Sequence, residues 1–218
     1  MSQIEFQHVT YQAGEKAILR DISVQIDAGD YISIVGPSGS GKSTFLKLCC
    51  HLISPTEGIL LVNGTNIMQQ NPIELRKKIG YCFQTPLLFG DTIEENLNYP
   101  YLIRNQKMDS DRINMLLSRF NMGPDCLNQN IKNLSGGEKQ RIALIRILLF
   151  KPEVLLLDEI TSALDIDNTE IVEKAIQILN GEGITILWVT HNPAQSRKYA
   201  DKLLTIDNGQ IKSLEMLK

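Results

Sequence analysis

The chain has 218 residues, of which 43% are apolar and 22% charged, and its formal net charge is −3. That length can bury one large core, alone or with an inserted lobe. The mild negative charge argues against a nucleic-acid binder held by bulk electrostatics. No apolar run reaches the roughly 20 residues that a membrane span needs. The longest candidate, "ALIRILLF", is broken by Arg146.

The opening "MSQIEFQHVTY" alternates like a strand and lacks the cationic, then apolar, pattern of a leader. A soluble chain is therefore expected, tied to a membrane only through a partner. Antiparallel strands are predicted first: "EFQHVTY", then "ILRDISVQI", with "DAGD" turning into "YISIVG". "GILLVNG" is a further short strand between glycines.

"YISIV", "VLLLD" and "TILWVT" are continuous apolar runs that each end in polar residues. Such runs suit parallel strands buried on both faces. Ligands of these sheets sit beyond the carboxyl ends of the strands. Those ends hold Gly36, then Asp158 and Glu159, then His191. Three polar endings on three core strands point to one site.

Helices are predicted between the strands. "NPIELRKK" has Asn71 as N-cap, Pro72 at the first position and Glu74 in the first turn. "DNTEIVEKAIQILNG" offers Asp167 and Glu170 as a capping box, a stripe of Ile171, Ala175 and Leu179, and a stop at Gly181. "NPAQSRKYA" repeats the Asn-Pro start at Asn192, and "DNGQI" reads as a hairpin turn. The stretch 85–133 breaks the alternating pattern and reads as a mainly helical lobe. One domain, 1–218, is expected: residues 1–84 and 134–218 form the α/β core with its antiparallel β-subdomain, and 85–133 are inserted. No further domain is expected after "IDNGQIKSLEMLK". The cysteines Cys49, Cys50, Cys82 and Cys126 form no CxxC pair, so a reducing compartment is the simplest reading. "CCH" at Cys49–His51 is an unpromising metal site, because helix neighbours point about 100° apart.

"GPSGSGKST", Gly36 to Thr44, matches G-x-x-x-x-G-K-[ST] after a predicted strand. Glycines let backbone N–H groups curl around a phosphate, and the following helix presents its positive end. Lys42 is placed to reach the β/γ oxygens and the Ser43 hydroxyl to bind Mg²⁺. In "VLLLDE", Asp158 is the candidate Mg²⁺ ligand and Glu159 the base for the attacking water. His191 is a candidate partner of the γ-phosphate or that water.

"LSGGEKQR" makes a second cradle of the same physical type. Ser135 fits as an N-cap, Glu138 closes a capping box, and Gly136 and Gly137 leave the first N–H groups bare. Ile142, Ile145 and Leu149 give its helix a buried stripe.

With these motifs in this order, the chain resembles an ATP-binding cassette (ABC) ATPase subunit. "GPSGSGKST" matches Walker A, including Pro37, Ser38, Gly39, Ser40 and Gly41, and "LSGGEKQR" matches the signature. "VLLLDE" matches Walker B, and "SALD" at Ser162–Asp165 the D-loop. Gln84 matches the Q-loop glutamine, His191 the switch histidine and Tyr11 the aromatic that stacks on adenine. The resemblance implies an α/β P-loop fold that hydrolyses ATP with Mg²⁺ held by Ser43, Gln84 and Asp158. It also implies head-to-tail pairing with a second copy or close relative, the signature of one cassette closing on the ATP of the other, with Asp165 among the nucleotide-binding residues. A separate membrane permease is implied as partner, with the cassette peripheral on the cytoplasmic face of the cell membrane. The alternatives are a soluble cassette ATPase working on DNA or ribosomes and a small-molecule P-loop kinase, for which the full motif set has no use.

A narrower resemblance, to the ATPases of FetAB-type exporters linked to iron, rests on "YCFQTPLLFGDTIEENL", "LLLDEITSALD" and "ILWVTH". There Ile160 replaces the proline common in other cassettes, and "ALIRIL" replaces the commoner "ALARAL". The apolar block from Thr85 to Tyr101 is expected partly to pack the lobe and partly to line a groove for a permease helix.

Overall fold

A computed structural model describes residues 2–218. The alternating N-terminal stretch forms a long hairpin, β1 (Ser2–Ala13) and β2 (Lys16–Asp27). The continuous run "YISIV" is β3 (Tyr31–Val35), and its glycine-rich sequel feeds α1 (Lys42–Cys49). Next come β4 (Glu57–Val62), the two-residue β5 (Thr65–Asn66), α2 (Pro72–Lys78) and β6 (Ile79–Cys82). The lobe contributes α3 (Ile93–Leu102) and α4 (Ser110–Arg119), followed by two 3₁₀ turns. The chain closes with α5 (Gly136–Leu148), β7 (Val154–Asp158), α6 (Ile166–Gly181), β8 (Thr185–Val189), α7 (Pro193–Lys198), β9 (Lys202–Asp207) and β10 (Gln210–Met216).

Two sheets result. The smaller is antiparallel in the order β2-β1-β4-β5. The larger runs β10-β9-β3-β8-β7-β6, parallel except for the edge strand β10. The β9–β10 turn has Asn208 and Gly209 at φ 48° and 76°, the pair of positive angles that a two-residue hairpin demands.

The larger sheet explains the continuous apolar runs, because its two faces feed different cores. Leu155, Leu157, Ile186 and Trp188 face a cluster built with α5, α6 and the lobe residues Ile93, Leu97, Ile113 and Leu117. Val154, Leu156, Leu187 and Val189 face a second cluster with Phe45 and Leu46 of α1 and Ile4, Phe6 and Leu60 of the small sheet. Alternation persists, but both faces are dry, so a period of two is invisible in hydropathy. An Arg119–Glu182 fork, with N–O distances of 3.1 and 2.6 Å, fastens α4 to the end of α6.

The caps predicted for α2 and α7 are present. Asn71 Oδ1 accepts from Ile73 N at 2.9 Å, and Asn192 Oδ1 from Ala194 N at 3.0 Å. The start of α6 differs from expectation. Its N-cap is Asp165, not Asp167, and it begins at Ile166. Asp165 Oδ1 accepts from Asn168 N at 2.8 Å and Oδ2 from Asn168 Nδ2 at 2.7 Å, so Asn168 satisfies both oxygens and fixes the earlier start. Glu170 pairs instead with Lys174, at 2.8 Å. The helix ends at Gly181 as expected, and the left-handed glycine that follows is Gly183 (φ 93°). Its buried stripe is Val172, Ala175, Ile176 and Leu179, with Ile171 only half-buried.

Candidate nucleotide site

At the end of β3, Gly36 has φ 145°, and a Cβ there would lie 1.9 Å from the Ile206 carbonyl oxygen, so no other residue fits. Gly41 (φ 106°) is the N-cap of α1, and a Cβ there would lie 2.6 Å from Leu19 Cδ2. No side chain caps α1, so the N–H groups opening this helix, which follow Pro37, Ser38, Gly39 and Ser40, have no side-chain acceptor. Ser40 Oγ is likewise buried with no hydrogen-bond partner. Such a bare helix end suits phosphate.

Lys42 is buried and donates from Nζ to the carbonyls of Gly36 and Pro37, each at 2.9 Å. Burial pulls its ammonium below the ordinary lysine range, and the carboxylates of Glu159 and Asp158 oppose that. The next residue, Ser43, donates from Oγ to Asp158 Oδ1 at 2.9 Å, while Thr44 follows within α1. A hydroxyl and a carboxylate side by side are hard oxygen donors, the class that Mg²⁺ takes together with water and phosphate oxygens.

Glu159 follows β7 with φ 51°, a left-handed backbone unusual for a glutamate. Its amide donates to the Val189 carbonyl at 3.1 Å. Its two carboxylate oxygens meet Gln84 and His191: Gln84 Nε2 donates to Oε2 at 3.1 Å, and His191 Nε2 lies 2.8 Å from Oε1. Gln84 thus stands beside Glu159, bonding to Glu159 and Ser162 rather than to the Ser43–Asp158 pair that the resemblance joins it to as a metal ligand. Tyr11 is half-buried in β1 opposite Leu19, the residue that packs on Gly41, so its strand runs beside the glycine-rich loop.

The second cradle is differently finished. Ser135 Oγ accepts from Glu138 N at 3.2 Å, and Glu138 Oε2 accepts from Ser135 N and from Ser135 Oγ, both at 2.8 Å. These bonds, the backbone one foremost, hold the Glu138 carboxyl below its usual range. Gly136 is open on its side-chain face, whereas a Cβ on Gly137 would fall 2.9 Å from Asn168 Cγ. Asn168 also accepts from Arg141 Nη1 at 2.6 Å while holding Asp165. Among the described residues no hydrogen bond or ion pair joins the Ser135–Gly137 turn to the Gly36–Thr44 loop.

Two features escaped the sequence. Tyr81 donates from its hydroxyl to Asp158 Oδ2 at 2.6 Å, and burial, then Asp158, push that phenol well above its ordinary pKa. The contact arises because β6 pairs with β7, and β6 itself is a four-residue strand, "IGYC", that no periodicity announces. The other is a groove of about 270 Å³ whose lining includes Tyr81, Phe83, Ile103, Arg104, Arg146 and Phe150. The Thr85–Tyr101 block divides beside it: Ile93, Leu97 and Tyr101 are buried, while Leu87, Phe89 and Tyr99 are exposed. Arg146 is stacked 4.2 Å over Phe89. No helix among the described residues is long and apolar enough to cross a membrane.

Comparison with known proteins gives the family. The family model described as ABC transporter matches residues 19–162. The probable iron export ATP-binding protein FetA of Escherichia coli (strain K12) is 47% identical over 204 residues, covering 93% of this chain and 90% of that protein. ABC transporter I family member 17 of Arabidopsis thaliana is 39% identical, with 92% and 76% coverage. Among solved structures, a dimeric post-hydrolysis state of the ATP-binding cassette MJ0796 bound to ADP and Pi superimposes with a TM-score of 0.87 at 30% identity, over 99% of each chain. A bacterial Atm1-family ABC exporter with ATP bound gives 0.88 at 27% identity, over 99% of this chain and 39% of the other. With its fold, its glycine-rich loop and these relatives agreeing, the chain belongs to the ABC transporter family, as an ATP-binding subunit that hydrolyses ATP.

Proposed function

We propose that two copies of this chain pair head to tail and drive a separate membrane permease, with metal export, of iron, as the transport. One observation carries the pairing. The chain has two anion cradles, one uncapped at α1 and one at Ser135–Gly137, and among the described residues no hydrogen bond or ion pair ties them together. Each is then half of a composite site, completed by the other copy. The 47% identity to the probable iron exporter subunit, over nearly all of both chains, supports the cargo. The exposed Leu87, Phe89 and Tyr99 beside the groove support a docked permease helix, which would place the subunit on the cytoplasmic face of the membrane.

In this reading Tyr11 stacks on the adenine, and the Gly36–Thr44 loop with Lys42 grips the phosphates. Ser43 and Asp158 hold Mg²⁺, which when bound offsets charge on the phosphate oxygens. Glu159 takes the proton of the attacking water, Gln84 and His191 orient that carboxylate and the γ-phosphate, and Ser135 to Gly137 with Asp165 close the site from the partner copy. Binding of ATP joins the copies and hydrolysis releases them.

A mixing experiment tests the pairing. Lys42→Ala disables one cradle and Ser135→Arg the other, so each variant alone is expected to be inactive. Mixed in equal amounts, they form a heterodimer with one intact composite site, and ATPase activity returns. Mixtures as dead as their components would show that both cradles serve their own chain. Recovery of one multi-span protein with Glu159→Gln from native membranes in ATP would identify the permease, and a purely ribosomal or DNA-bound set would favour the soluble alternative.

A further inference from the structure

We infer that Gln195 is a positioning residue of the hydrolytic site: its buried carboxamide locks the loop that carries Glu159 to the loop that carries His191. The inference rests on the roles given above to those two residues. It starts from a polar knot whose centre, Gln195, is given no role by the sequence motifs. Gln195 lies on α7 and is 8% exposed, at the floor of a cleft of about 610 Å³ that also contains Glu159 and His191. Thr190, the residue before His191, donates from Oγ1 to Gln195 Oε1. Thr161, two residues after Glu159, lies 3.0 Å from Gln195 Nε2, which donates to its Oγ1. The same Nε2 donates to Glu173 Oε1 at 2.9 Å, and Glu173 Oε2 accepts from Lys198 Nζ at 2.7 Å.

The geometry assigns work to each end of the amide. Glu159 and His191 meet at 2.8 Å, yet they sit on separate loops that leave separate strands. Loops of that kind hold such a distance only when something ties them. The Oε1 end fixes the His191 loop through Thr190, and Thr161 on the Glu159 loop meets both ends, accepting from Nε2 and lying 3.3 Å from Oε1. Glu173, 5% exposed on α6, then anchors the amide to the helix behind. A buried carboxylate needs donors, and Gln195 and Lys198 supply them. A carboxamide is required here because one end must accept and the other must donate. A carboxyl in its place would lose the amide N–H that Glu173 accepts and set a second acidic group against it, with Lys198 as the neighbouring cation and Glu159 and His191 across the cleft.

Three variants of the full chain test this, with ATP turnover and nucleotide affinity measured separately. Gln195→Leu should lower kcat tenfold or more while ATP affinity, set by the Gly36–Thr44 loop, stays within twofold. Gln195→Glu should lower kcat similarly, by setting two carboxylates together. Glu173→Gln combined with Gln195→Glu exchanges the two groups. Both threonine hydroxyls are then free to donate to the new carboxylate, and the new amide donates to it from α6, so kcat should return to within threefold of the parent. Restoration by the exchange is an outcome that mere damage to the fold would not give. Parent-like kcat in both single variants would overturn the inference. So would failure of the exchange to restore turnover in a protein whose melting matches the parent. Glu159→Gln, run alongside, separates the two readings: if it leaves turnover intact, the roles of Glu159 and His191 fall first, whereas if it stops turnover and Gln195→Leu does not, only the part given to Gln195 fails.

Discussion

The helix starts at Gly41 and at Ser135 are the same device in two conditions. At Gly41 no side chain caps the helix end, and Lys42, the first residue of the helix, donates to the carbonyls of Gly36 and Pro37. At Ser135 a capping box already occupies part of the helix end, and Glu138 brings a negative charge of its own. A helix end carrying its own carboxylate holds another anion less tightly than a bare one. In the pairing proposed above, the first cradle would bind the nucleotide, and the second would recognise one that the other copy already holds.

That contrast can be broken by experiment. The largest effect is expected at the chemistry the first cradle serves. Glu159→Gln should lower kcat by roughly 10²–10⁴-fold while ATP still binds, and size-exclusion with light scattering should show a dimer persisting in ATP. Next, Lys42→Ala removes the charge proposed to meet the phosphates, and calorimetry should show ATP affinity falling by about 100-fold, the worth of one or two charged hydrogen bonds. Ser135→Arg should leave the affinity of the monomer for ATP within about twofold and still prevent ATP-induced dimerisation. Weakened monomer binding in that variant would mean that the second cradle serves its own chain. The smallest effect concerns stability. Ser135→Ala removes the cap and should cost about 1 kcal/mol in urea unfolding. The Glu138 carboxyl is held below its usual pKa, so its share of stability is present above the ordinary carboxylate value and is lost as pH falls through the lowered one. Glu138→Gln should flatten that acid limb, and an unchanged limb would remove the box from the account.

The sequence was most readable where one residue type settles one geometry. The runs ending at Gly36, Asp158 and His191 announced buried parallel strands, and their ends do converge, through Ser43 on Asp158 and through His191 on Glu159. Where two local solutions compete, reading failed. "LDIDNTE" contains two acidic residues with a plausible partner three positions on, and only the folded chain shows that Asn168 answers Asp165 with both its amide and its side chain. Contacts between distant segments were beyond reach. Tyr81 meets Asp158 because a short strand pairs with β7, and Gln195 gathers Thr161, Glu173 and Thr190 from three other elements. No spacing in the sequence encodes such a meeting.

The bracket of Arg141, Asn168 and Asp165 makes the signature turn and the D-loop one mechanical part. Asn168 lies against the side-chain face of Gly137 and holds Asp165, so one side chain links the two segments. In the paired arrangement proposed above, both would face the nucleotide of the second copy. Arrival of that nucleotide would then be felt at once in α5 and in α6, and α6 holds Glu173, which anchors the amide behind Glu159 and His191. Each copy would sense occupancy of its neighbour's site through the helix that braces its own, so the two halves would fire in relation to one another rather than as independent engines.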